Sequence, residues 1–134
     1  MPEKLSFKKT FHALENALNI TQQRHKVIAG NISNLDTPNY KAKEIDFKSA
    51  LTRALESDHQ MNLVRTNPGH IDLKRNSAPG VEPFEDESEW NGFNWVDIDR
   101  EMLKLTENNL IYRTTTETLL RKIAILKEVI RGGR

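Results

Sequence analysis

The chain has no cysteine among its 134 residues, so neither a disulfide framework nor a thiolate metal site is open to it. Glycine is scarce, with six residues, and no P-loop, dinucleotide fingerprint or G-x-S-x-G elbow is present. The four histidines, His12, His25, His59 and His70, form no i, i+4 pair, which removes the common zinc pattern. No catalytic constellation, metal site or cofactor is expected. Charge of one sign is also missing: a net charge of +1 gives no electrostatic case for nucleic acid or an acidic membrane. No apolar run approaches a membrane span. The start MPEKLSFKKTFHALENAL carries charges throughout, without the apolar core of a secretory signal. By the usual routes such a chain is expected to be a soluble cytoplasmic protein.

What the chain has is polarity and periodicity. Hydrophobic residues make up 37% and charged residues 29%, so the core should be thin and part of the apolar surface should be covered by another chain. The charge is uneven, with the acidic run EPFEDESEW at 82–90 expected as a solvated loop. Asn19-Ile-Thr and Asn31-Ile-Ser match the glycosylation pattern, but both fall inside a predicted helix and read as chance.

Both ends carry heptads. Phe7, Phe11, Leu14, Leu18, Thr21, His25, Ile28, Ile32 and Leu35 step by three and four, which predicts a helix over roughly 6–34. Ile98, Met102, Leu105, Asn109, Tyr112, Thr116, Leu119, Ile123, Leu126 and Ile130 do the same, with Asp97 or Asp99 as cap and Gly132-Gly133 as stop. A second apolar row on that last helix, Leu103, Leu110, Ile111, Leu120, Ala124 and Val129, is wider than one partner helix covers. Leu103, Leu110, Ile111 and Leu120 are therefore candidates for burial between subunits. The expected fold is mainly α, with long N- and C-terminal helices paired as an antiparallel coiled coil around a middle segment of a short helix, loops and short strands. The chain divides into residues 1–40, 41–95 and 96–134 on this reading.

An antiparallel pair also predicts a register. Setting Phe7 against Ile130 continues through Phe11 with Leu126, Leu14 with Ile123 and Leu18 with Leu119. It then places Thr21 against Thr116, His25 against Tyr112, Ile28 against Asn109 and Ile32 against Leu105. The polar seam residues fall into adjacent layers, where the threonines would bond each other and the histidine the tyrosine.

In the middle, DFKSALTRALES (46–57) has helical spacing, while MNLVR (61–65) and HIDL (70–73) read as short strands between Pro-Gly and Asn-Gly turns. Trp90, Phe93 and Trp95 form an aromatic cluster expected to pack back on the helices.

The stretch GNISNLDTPNY (30–40) is a specified stop. Asp36 and Thr37 bond local backbone, Pro38 bars further helix, and Asn39 tolerates the left-handed conformation. Asn31 and Asn34 lie beside the seam, placed to bond a neighbouring backbone or side chain. With its flanks, ANISNLDTPNYKAKEIDF with Gly30 inserted after Ala29, this stretch resembles the signature of the flagellar rod and hook axial family. The matching positions are Asn31, Asn34, Thr37, Pro38 and Tyr40. The C-terminal NWVDIDREMLKLTENNLIYRTTTETLLRKIAILKEVI is similar to the last helix of the family's short proximal-rod members, and RTNPGHI (65–71) is a weaker match. Gly30, Ser33 and Asn39 depart from the usual Ala, Ala and Gly.

The resemblance implies a structural subunit of the bacterial flagellar basal body, in the periplasmic rod that carries torque from motor to hook. It implies self-assembly and contacts with other axial proteins: the FlgC-type rod protein, the FliE junction protein and the membrane-supramembrane ring. It also implies passage through the flagellar type III export apparatus without a cleaved signal, which displaces the cytoplasmic expectation. Phe7 and Phe11 then resemble the short hydrophobic element that engages the export gate, although seam packing alone accounts for both. The alternative, a helical nucleic-acid-binding or regulatory protein, would need a clustered basic face, and here the bases are interleaved with acids.

Overall fold

The computed structural model describes residues 2–57 and 81–132, with side chains from residue 7 onward and none at residue 57. The expected strands at 61–65 and 70–73, the match at 65–71, and His59 and His70 lie outside the described residues. Five elements follow in order: helix α1 (Pro2–Ser33), strand β1 (Lys43–Glu44), helix α2 (Phe47–Ser57), strand β2 (Phe84–Glu85) and helix α3 (Ile98–Gly132). No helix among the described residues is long and apolar enough to cross a membrane.

Each helix begins and ends on local chemistry. Pro2 sits at the first position of α1, where its missing N–H costs nothing. The end of α1 tightens: the Asn34 N–H is shared between Gly30 O at 3.2 Å and Asn31 O at 3.1 Å, and Leu35 N–H reaches Ile32 O at 3.3 Å. The Asn34 side chain donates to the same Gly30 O at 2.7 Å, so this carbonyl accepts two bonds from one residue as the helix ends. Thr37 and Pro38 then turn the chain, and Asn39 takes a left-handed φ of 57°. Asp46 caps α2, accepting the Ser49 N–H at 2.9 Å. Asp97 caps α3, accepting the Asp99 and Arg100 N–H groups at 3.0 and 3.3 Å.

The apolar core is small and lies on the α2 side of α1. Ile20, Ile45, Ala50 and Ala54 are buried together, with Val27, Phe47, Leu51 and Val81 packed around them. The strands form one short antiparallel ladder, Lys43 opposite Glu85 and Glu44 opposite Phe84. It ties the chain after α1 to the chain before α3.

Helices α1 and α3 pack antiparallel, but in a different register from the expected one. Asn108 Nδ2 donates to Thr21 O at 2.9 Å, Arg24 pairs with Glu107 at 3.1 Å, and Asn31 bonds Glu101 at 2.9 Å. Thr21 therefore lies beside Asn108 rather than Thr116, about one heptad away. The expected threonine layer fails for a local reason. Thr21 Oγ1 donates to Leu18 O and Thr116 Oγ1 to Tyr112 O, each at 2.8 Å, so both hydroxyls are used within their own helices. Amide-to-backbone and ionic bonds fix the alignment instead, and a one-heptad slip would strand them at about 1–3 kcal/mol apiece.

Candidate assembly surface

The face that α3 turns toward α1 is polar. Glu101, Lys104, Asn108 and Thr115 are its buried residues, while the α1 side contributes Thr21, Arg24, Ile28 and Asn31. Arg24 is 6% exposed, and its guanidinium bonds Glu107 through Nη2. Its Nε and Nη1, with the Asn108 Oδ1, have no partner among the described residues. Beside this seam a groove of about 440 Å³ is lined by Leu18, Thr21, Gln22, His25, Asn109 and Tyr112, among others.

At the N-terminal end of α3 the polar groups form a closed cluster. Lys104 Nζ lies 2.7 Å from Asp86, 3.0 Å from Glu44 and 3.3 Å from Glu101. Burial alone would raise the Asp86 pKa, but bonds from Lys104 and Ser88 outweigh it and hold the carboxyl at about 2. Burial alone would likewise lower Lys104, and its carboxylate partners, Asp86 and Glu44 foremost, push it above the ordinary lysine value. Asn31 closes the cluster on the α1 side. Its amide donates to Lys43 O at 2.7 Å and Glu101 at 2.9 Å, and its oxygen accepts the Lys43 N–H at 2.9 Å and the Tyr40 hydroxyl at 3.4 Å.

A second clasp joins the turn after α1 to the loop before α3. Asn94 is fully buried; its amide donates to Leu35 O at 2.7 Å and Thr37 O at 3.3 Å, and its oxygen accepts the Val96 N–H at 3.1 Å. The Asn39 N–H adds a bond to Phe93 O at 3.0 Å.

The acidic run lies at the surface at most positions, as expected of it, and Asp86 is the main exception. Glu87 and Glu89 are exposed, but the Asp86 side chain is only 3% exposed because Lys104 draws it inward. The aromatic cluster also departs from expectation. Trp90 and Phe93 remain about half exposed at 48% and 46%, although Trp90 packs at a tilt against Trp95 with ring centroids 4.4 Å apart.

The outward side of α3 carries large apolar residues exposed among charged and polar ones. Leu103, Leu110 and Leu120 are 60–70% exposed, and Val129 and Ile130 about as much. Ile111 is half-buried. Of the residues assigned to the seam, Thr21 and Ile28 are buried, and Phe7, Phe11, Leu14, Leu18 and Ile32 are half-buried, as are Leu105, Thr116, Leu119 and Leu126. His25, Met102, Asn109, Tyr112, Ile123 and Ile130 are exposed. The signature residues gather at one corner, with Asn31 buried, Asn34 and Tyr40 half-buried, and Thr37 and Pro38 at the surface.

Sequence reasoning missed Glu101, Lys104, Asn108 and Thr115 because it followed the row of Met102, Leu105, Asn109 and Thr116, one position along from them. Their three-, four- and seven-residue spacing is itself a heptad signal. Nothing in the local sequence marks Asp86 as different from Glu87, since its partner is 18 residues away.

The helix pair thus turns amides and ions inward and leaves Leu103, Leu110 and Leu120 on its outward side. The family described as flagella basal body rod protein matches residues 11–41. The flagellar basal body rod protein FlgB of Bacillus subtilis strain 168 is 35% identical over 129 residues, 96% of this chain and 98% of the relative. FlgB of Salmonella typhimurium is 33% identical, and FlgB of Escherichia coli K12 32%, each over 126 residues, 89% of this chain and 91% of the relative. The chain belongs to the FlgB family of flagellar basal body rod proteins.

Proposed function

We propose that this chain is a structural subunit of the proximal rod, assembling with copies of itself and with other axial proteins through its terminal helices. In that role it carries torque from motor to hook. It reaches the rod through the flagellar type III export apparatus, and its neighbours are a FlgC-type rod protein, a FliE-type junction protein and the membrane-supramembrane ring. The observation that carries this reading is the outward side of α3, where Leu103, Leu110 and Leu120 stay 60–70% exposed in the single chain. Exposed apolar surface of this extent is what neighbouring subunits bury. Ile111, half-covered by its own chain, is the inner edge of that face.

The test separates folding from assembly. Leu110→Asp should leave the far-UV circular dichroism and thermal midpoint of the isolated protein unchanged while abolishing motility when it replaces the wild-type chain in cells. Motility at the wild-type level with Leu110→Asp and Leu103→Asp together would reject the reading.

A further inference from the structure

The two ends of the helix pair carry opposite charge and matching apolar surface. Residues 82–99 contain seven carboxylates and no lysine or arginine. They are held at the start of α3, where Lys104 binds Asp86 and the Arg100 guanidinium donates to Glu87 O at 3.4 Å. Phe84, Trp90 and Phe93 are each about half exposed in this acidic segment. The far end reverses the sign. Residues 119–132 of α3 carry four bases against one acid, and the exposed Lys8 and Lys9 of α1 lie at the same end. Lys122 Nζ sits 5.4 Å from the Phe7 ring centroid, which fixes the two helix ends side by side. Ile125, Val129 and Ile130 are 58–71% exposed there.

No movement within one chain brings these surfaces together. From Ile98 to Lys122 a continuous helix rises about 36 Å. We propose that the acidic aromatic end of one copy docks on the basic apolar end of the next copy, head to tail. The proposal rests on the rod-subunit reading and adds which end of the molecule meets which. Each end repels its own kind, so the symmetric pairing of like ends is disfavoured, while unlike ends attract. The exposed rings of Trp90 and Phe93 add faces on which lysine and arginine side chains settle. A contact between different patches does not close on itself, so it extends into a filament.

Two double reversals test this on the full chain at exposed positions: Glu87→Lys with Glu89→Lys at one end, and Arg121→Glu with Lys127→Glu at the other. Sedimentation velocity at low salt should show a concentration-dependent ladder of oligomers for the wild type, and a tenfold or greater weakening for each double variant. An equimolar mixture of the two variants offers both the original contact and its charge-reversed counterpart, so it should regain the ladder as an alternating polymer. The chain with all four reversals should regain the ladder. A wild-type chain that stays monomeric, variants that associate like the wild type, or a fourfold variant that does not recover would overturn the proposal. If the ladder ignores charge but disappears with Leu110→Asp, the head-to-tail contact is wrong and the rod-subunit reading stands. If Leu110→Asp also leaves motility intact, that reading fails as well.

Discussion

The Asn31 amide donates to the Glu101 carboxylate at 2.9 Å across 70 residues of sequence, and neither side chain is more than 1% exposed. This bond joins the last turn of α1 to the first turn of α3. Asn31→Ala leaves the Lys43 backbone groups and Glu101 short of partners, each costing about 1–3 kcal/mol. The total loss should be about 2–4 kcal/mol after local relaxation. Urea unfolding followed by circular dichroism measures it, and Asn34→Ala, at a less buried site, should cost less.

Asp86 makes the stability depend on acid. Its carboxyl titrates at about 2 in the folded chain against an ordinary value of 3.8. Its contribution is therefore complete above the ordinary value and is lost as pH falls toward 2. The raised Lys104 value works in the opposite direction: its contribution is full below the ordinary lysine range and fades only as pH climbs through the raised value. Asp86→Asn should lower the thermal midpoint at pH 7, and the gap from wild type should close between pH 4 and 2. Glu87→Ser should leave the midpoint unchanged at either pH.

Gly30 lies inside α1, and a Cβ placed on it meets nothing within 4 Å. Gly30→Ala should therefore stabilise the chain by up to about 1 kcal/mol, the difference in helix propensity between the two residues. A thermal midpoint higher by a few degrees is the expected result. An unchanged or lower midpoint would mean that the Gly30 backbone serves a purpose other than helix.

The two apolar surfaces should respond differently to truncation. Ile20 is fully buried in the α1–α2 core, and Ile20→Ala should cost about 2–5 kcal/mol. Leu110 is 66% exposed, and Leu110→Ala should fall within about 0.5 kcal/mol in the isolated chain. The ranking reverses if the outward face of α3 is covered in the monomer.

Among the described residues the second half of α3 is little covered, with only Leu119, Lys122 and Leu126 half-buried between 119 and 132. Amide exchange in residues 120–132 should accordingly be fast in dilute protein and slow in any assembled form. Equal protection in both states would contradict an uncovered helix end.

The helices, the Asp97 cap of α3 and the stop at Pro38 were legible because each depends on residues a few positions apart. Asp97 and Asn39 act on their own turns, and their residue types state what they do. The register was not legible, because heptad positions repeat every seven residues and an apolar pattern scores each slip almost equally. The alignment is set by Asn31 with Glu101 and by Asn108 with the Thr21 carbonyl, pairs whose members are far apart in sequence. Asp86 was misread for the same reason. A carboxylate in an acidic run looks solvated until Lys104 is known to lie beneath it.

The clasp made by Asn94 leaves the chain no slack where its direction reverses. With Leu35, Thr37 and Val96 bonded to one buried side chain, the turn after α1 and the loop before α3 form a braced corner. A load along α1 reaches α3 through short hydrogen bonds instead of first drawing out a loop. Under such a load the two helices would turn together, as one lever with a welded elbow.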